Sequence, residues 1–120
     1  ILAQEWPKCP RHRGMALAVA QLLASLEDPD VDIRCAAVRA FSQGASAGDP
    51  AAVALLIQRA EDTDEDVRFA AVEGLVTVAS GRNQAAAAAV LGRLSDDDDY
   101  VRRAAARAAP SLAEPGDRAA

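Results

Sequence analysis

Aromatic side chains are scarce in this chain of 120 residues, at 3% of the composition. Large rings therefore cannot form the core. The apolar share of 51% is carried mostly by Ala, with some Val and Leu, a palette that favours helices. Cysteine is equally sparse. Cys9 and Cys35 stand far apart and form no C-x-x-C pair, which argues against a disulfide-built secreted scaffold. Reduced thiols in a reducing compartment, such as cytoplasm or plastid, are expected instead. No apolar run approaches the roughly 20 residues that span a bilayer, because Asp, Glu or Arg interrupts every stretch. A soluble protein without direct membrane insertion is expected. Basic charge is in deficit, since 13 Lys and Arg face 18 Asp and Glu for a net −5. Phosphate neutralisation has no obvious source here, so nucleic acid is not an expected partner. The one basic cluster, Lys8, Arg11, His12 and Arg13, reads as a solvated loop.

What the chain has in abundance is repetition. The segment Asp28 to Val38 reads DPDVDIRCAAV, and 34 positions on, Asp62 to Val72 reads DTDEDVRFAAV. Another 34 positions lead to Asp96 to Ala106, DDDDYVRRAAA, with no gap needed. Asp28, Asp62 and Asp96 fall in one column, Ile33, Val67 and Val101 in a second, and Arg34, Arg68 and Arg102 in a third. Upstream, Leu22, Leu56 and Val90 stay in step, as do Leu23, Ile57 and Leu91.

Each unit parses into two helices, A and B. In the middle unit Asp49 suits an N-cap and Pro50 the first helical turn, and Val53, Leu56, Ile57 and Ala60 follow at i, i+3, i+4 and i+7. The turn EDTD ends this A helix, and Asp64 caps a B helix over about Glu65 to Val78. The flanking units predict A helices near Met15 to Leu26 and Gln84 to Leu94, with B helices near Val31 to Ser42 and Asp99 to Ala109. A hairpin of this size cannot cover its own apolar face, so neighbours must stack. The expected fold is all-α, a solenoid of three helical hairpins over residues 15–48, 49–82 and 83–110. Small residues at Ala36, Ala70 and Ala104 allow close helix approach. The third unit, with Tyr100 and Ala106 in place of Asp and Val, is expected to pack less tightly.

Residues 1–14 form a separate N-terminal segment. Its ILAQEW run keeps the register of a B helix and reads as the remnant of an earlier hairpin, ended by Pro7 and Pro10. The chain starts at Ile1 and has its one Met at Met15, which suggests a processed product or a piece of a longer protein. Pro110, Pro115 and Gly116 break the helical pattern, and residues 111–120 are expected to be a disordered or partner-docked tail.

An apolar A helix, a D-P-D turn and V-R-x-A-A at the start of helix B resemble HEAT repeats, especially the short variety associated with phycobilin lyases. The resemblance covers roughly residues 15 to 110. It implies a ladder between adjacent repeats, made by the turn aspartates Asp28, Asp62 and Asp96 with the arginines Arg34, Arg68 and Arg102. It also implies that the B helices line a concave surface.

Motifs for chemistry are weak. Asp28, Asp30 and Asp32, like Asp62, Asp64 and Asp66, open as an EF-hand loop does, but Ile33 and Val67 occupy the position that needs Gly. Caps and ladder residues explain these aspartates better than a metal does. Cys9 and His12 supply half of a zinc site at best. His12 is the one histidine and lies in a Pro-flanked segment, and the glycines occur singly. No catalytic, cofactor-binding or metal-binding residue is assigned, and the chain is read as no enzyme.

Columns that vary between units need not pack. On the B helices these are Val31, Glu65 and Asp99, then Cys35, Phe69 and Arg103, then Arg39, Glu73 and Arg107. Positions i, i+4 and i+8 share a face, so Cys35, Arg39, Phe69, Glu73, Arg103 and Arg107 are the candidate partner-binding stripe. Phe69 is either an exposed anchor or a core residue, and Trp6 poses the same choice. The expected function is a scaffold or small structural subunit that holds other protein subunits in a hetero-complex. Two alternatives follow from the resemblance alone: an accessory subunit of a photosynthetic pigment-protein complex, and a bilin lyase-like protein.

Overall fold

Acidic turns alternating with apolar stretches of period 3.6 dictate a helix–turn–helix rhythm, and the chain folds accordingly. The computed structural model describes residues 21–79 and 83–112. Residues 21–25 are helical and close into a turn. Then follow α1 (Val31–Gly44), α2 (Pro50–Arg59), α3 (Glu65–Ala79), α4 (Gln84–Gly92) with a 3-10 turn at Arg93–Ser95, and α5 (Asp99–Leu112). Among the described residues there is no strand. The predicted N-terminal segment, the start of the first A helix, residues 80–82 and most of the tail lie outside the described residues.

Local chemistry sets the helix starts. Asp30 accepts the Asp32 N–H at 2.9 Å, Asp49 that of Ala51 at 3.0 Å, and Asn83 that of Ala86 at 2.9 Å. Each such cap stabilises its helix by about 1 kcal/mol. Pro50 sits in the first turn of α2, where its missing N–H costs nothing. Gly48 takes φ +78°, a left-handed conformation natural to glycine, and donates to the Val78 carbonyl at 2.6 Å. That bond ties the link between the first two units to the end of α3.

The B helices α1, α3 and α5 stack in sequence, with α3 against both others, while α2 and α4 pack on the B helix of their own hairpin. The fully buried side chains Val38, Leu56, Val67, Val72, Leu75, Val90 and Leu112 fill the space between layers. Close approach is explicit at Gly74. A Cβ there would lie 3.1 Å from Ser42 Cβ and closer still to the Ser42 hydroxyl, which donates to the Val38 carbonyl at 2.8 Å. Ala70 and Ala104 are likewise buried between B helices. Ala36, in the same column, is exposed.

Two expectations change. The third unit is not looser: Val101, Ala104, Ala105 and Ala108 are all buried. Pro110 also does not end the helix, since α5 continues to Leu112. A proline so near a C-terminus removes one bond from a turn that is already fraying, and burying Leu112 contributes about 2 kcal/mol in compensation.

Candidate functional site

The acidic turns between A and B helices repeat one device three times. The first Asp of each turn accepts a backbone N–H two residues on: Asp28 from Asp30 at 2.8 Å, Asp62 from Asp64 at 2.9 Å, and Asp96 from Asp98 at 2.9 Å. The arginine six residues later folds back over its own turn. Arg34 Nη1 donates to the Asp28 carbonyl at 2.8 Å, Arg68 Nη1 to that of Asp62 at 2.9 Å, and Arg102 Nη1 to that of Asp96 at 2.7 Å.

The other edge of the guanidinium reaches the next repeat. Arg34 Nε and Nη2 donate to Asp62 Oδ2 and Oδ1 at 3.1 and 3.0 Å, and Arg68 makes the same fork on Asp96 with both bonds at 2.9 Å. A two-pronged contact of this kind fixes orientation as well as distance. Arg59 and Arg93 reinforce it from the A helices. Arg59 Nη1 donates to Asp62 Oδ2 at 3.2 Å and to the Leu26 carbonyl at 2.8 Å, while Arg93 Nη1 donates to Asp96 Oδ2 at 2.9 Å. Burial pushes the Asp96 carboxyl up, but bonds from Arg68 and from the Asp98 N–H outweigh it and hold the group below the usual carboxylate range. The bonds that Arg34 and Arg68 donate to Asp62 and Asp96 raise both guanidiniums above their ordinary value.

An open cleft of about 380 Å³ lies over this network, lined by Glu61, Asp62, Arg68, Arg93, Asp96 and Asp97 among others. Most of its charges are already spent on one another. The turn carboxylates likewise hold N–H groups and guanidiniums, the chemistry of caps and crosslinks rather than of an ion cage.

A family model for HEAT repeats matches residues 19–110. The chain belongs to the HEAT-repeat family. HEAT repeats typically act as non-enzymatic scaffolds that mediate protein–protein interaction. Comparison with curated proteins finds no match. The described helices include none long and apolar enough to cross a membrane.

On this HEAT scaffold the varying columns of the B helices behave as a group. Arg39, Glu65, Glu73, Asp99, Arg103 and Arg107 are exposed, whereas Val31, Cys35 and Phe69 are half-buried against the core. The stripe thus has a partly sunken apolar line beside charged positions. Cys35 Sγ lies 3.8 Å from the Asp66 carbonyl, and Arg107 Nη2 lies 3.9 Å from Glu73 Oε2 across adjacent repeats. Arg103 pairs with Asp99 at 2.8 Å and sits 5.7 Å from the centre of the Tyr100 ring. Phe69 is therefore neither free nor sealed. The ladder residues split: Arg34 with Asp62 and Arg68 with Asp96 are brought together, while Asp28 and Arg102 meet no counterpart among the described residues.

Arg59, Arg93 and Asn83 were not among the residues the sequence singled out. An arginine three residues before the ladder aspartate in two of the three units was the available signal for the first two, since i and i+3 share a helix face. Asn83 directly before an Ala run was a readable cap. Cys9, His12 and Trp6 lie outside the described residues.

Proposed function

We propose that the B-helix face is a docking surface for protein partners, and that the chain serves as a non-enzymatic subunit of a hetero-complex. One observation carries the reading: charged Arg39, Glu73, Arg103 and Arg107 stay exposed in matching columns of α1, α3 and α5, beside a half-buried line at Cys35 and Phe69. Half-buried Cys35 and Phe69 supply an apolar centre, and Arg39, Glu73, Arg103 and Arg107 supply a rim of mixed sign. An aromatic anchor inside a polar rim is how a protein interface concentrates its affinity. In HEAT solenoids this is also the concave side.

The pigment-complex and bilin-lyase readings draw no support from the described surface. A tetrapyrrole needs apolar and aromatic walls with a few convergent polar groups. The cleft at the turns is walled instead by paired carboxylates and guanidiniums.

The test is co-purification with the intact chain, followed by mass spectrometry. A partner that binds here is retained by the native chain and by a Gln58→Glu control on α2. It is lost from Phe69→Asp and from Arg103→Glu/Arg107→Glu chains that keep their helical spectrum. Equal retention by all four chains refutes the assignment of this face.

A further inference from the structure

The stripe on the B helices has a sign opposite to that of the chain. Its three arginines, Arg39, Arg103 and Arg107, stand against one acid, Glu73, whereas the whole chain carries a net −5. The positions on either side differ from it. Toward the turns the exposed neighbours Asp32, Glu65, Asp66 and Asp99 are acidic, and away from the turns Gln43, Thr77 and Ser111 are neutral. A basic band thus crosses the B helices between an acidic row and an uncharged one.

The openness of this band belongs to the interior of the stack. The helix α3 packs against both α1 and α5, yet its Glu73 is exposed and its Phe69 only half-buried. The side chains of Arg103 and Arg107 are each 64% exposed, and their acidic neighbours Asp99 and Glu73 lie near the surface as well. Ion pairs so exposed hold weakly, so both guanidiniums are free to exchange partners. The contact of Arg107 with Glu73 is already long at 3.9 Å.

Along the stack the sign alternates. It is positive at Arg39 on α1, negative at Glu73 beside the apolar Phe69 on α3, and positive again at Arg103 and Arg107 on α5. A carboxylate fits either end of the band and is repelled at its middle, where an apolar side chain meets Phe69. Packed helices lie about 8–10 Å apart, so α1 and α5 are separated by roughly 20 Å. An extended chain advances about 3.3 Å per residue and covers that distance in about six residues.

We propose that the partner of this face is an extended acidic segment, with carboxylates about six residues apart and an apolar side chain between them. It runs across the B helices, with one carboxylate on Arg39, the other on Arg103 and Arg107, and the apolar side chain on Phe69. Guanidiniums suit such an occupant, because each grips a carboxylate through two parallel bonds. The acidic row on the turn side fixes its position, since a carboxylate displaced toward Glu65 or Asp99 meets like charge. This inference rests on the docking role proposed above and adds the chemistry of the partner.

Fluorescence anisotropy with the full chain and three labelled ten-residue peptides tests it. The probe is a Gly-Ser peptide with a Glu pair near each end and Phe at its centre. One control carries Lys in place of every Glu, and the other groups the glutamates at one end. The native chain is expected to bind the probe at least tenfold more tightly than either control, with an affinity that falls as salt rises. Arg39→Gln/Arg107→Gln is expected to lose this preference, and Arg39→Glu/Arg107→Glu to reverse it in favour of the Lys peptide. Thermal melts like that of the native chain show that these variants fold. A native chain that binds the probe no better than either control, fails to bind it up to millimolar concentration, or keeps its preference after both substitutions overturns the proposal. Co-purified proteins that the native chain retains and the Phe69→Asp chain loses sustain the docking role even then, so the two readings fail separately.

Discussion

Replacing Asp96 by Asn asks whether the crosslink between repeats stabilises the solenoid. The Asp96 side chain is 2% exposed. Its Oδ1 accepts from Arg68 Nη2 and the Asp98 N–H, and its Oδ2 from Arg68 Nε and Arg93 Nη1, all at 2.9 Å. Asparagine keeps Oδ1 and with it the turn, but sets an NH₂ group against two guanidinium donors. Breaking a buried pair from one side costs roughly 3–5 kcal/mol. Arg68 keeps a bond to Asp97 at 3.1 Å, and Arg93 is near enough to the surface to find water, so about 3 kcal/mol is expected. That is a large share of the 5–15 kcal/mol typical of a domain. Urea unfolding followed by circular dichroism measures it. Because repeats interact with nearest neighbours, amide exchange is expected to speed up in α4 and α5 before α1. The exposed neighbour Asp97 is the control, and Asp97→Asn is expected to change stability by less than about 0.5 kcal/mol. If Asp96→Asn falls within about 1 kcal/mol of the native chain, the crosslink is not a stabilising element.

Acid provides an independent check. The folded pKa of Asp96 lies below its ordinary value of 3.8, so its contribution is complete above that value and is lost as pH falls through the lower folded value. The raised Arg34 and Arg68 stay charged throughout, and urea midpoints of Asp96→Asn are expected to fall less between about pH 4 and pH 2 than those of the native chain. Gly74→Ala gains up to about 1 kcal/mol of helix propensity yet is expected to destabilise by about 1–3 kcal/mol, because the methyl group meets Ser42; adding Ser42→Ala recovers part of the loss in the same melts. Leu56→Ala removes a fully buried side chain at the centre of the core and is expected to cost about 2–5 kcal/mol in denaturant. Arg103→Ala touches an exposed pair and is expected to leave stability within about 0.5 kcal/mol, so any loss of partner retention by this variant reports on binding.

Much of this architecture could be read before any coordinates, because it rests on short-range rules. The 34-residue period, the 3.6 spacing within each unit and the Asp49–Pro50 start act over a few positions of chain, and the helices formed close to where that spacing put them. The aspartate and arginine columns of the ladder were legible by resemblance, and the varying columns on the B helices by comparison of units. Side-chain chemistry alone did not reveal that Arg59 and Arg93 join the same carboxylates, since their targets emerge only when the turn folds back on the A helix.

Tertiary structure decided the rest, because identical columns have different neighbours. Ile33, Val67 and Val101 are interchangeable in the repeat, yet Val67 and Val101 are buried while Ile33 is exposed. Arg34, Arg68 and Arg102 share one motif, yet among the described residues only Arg34 and Arg68 grip the carboxylate of a following turn. Gly74 and Ser42 are unremarkable in their own helices and critical where those helices touch, and Leu112 holds α5 past a proline that local rules read as a stop. Periodicity determines what each repeat can offer, while stacking determines which offers are taken up, because burial and pairing belong to the contact between repeats.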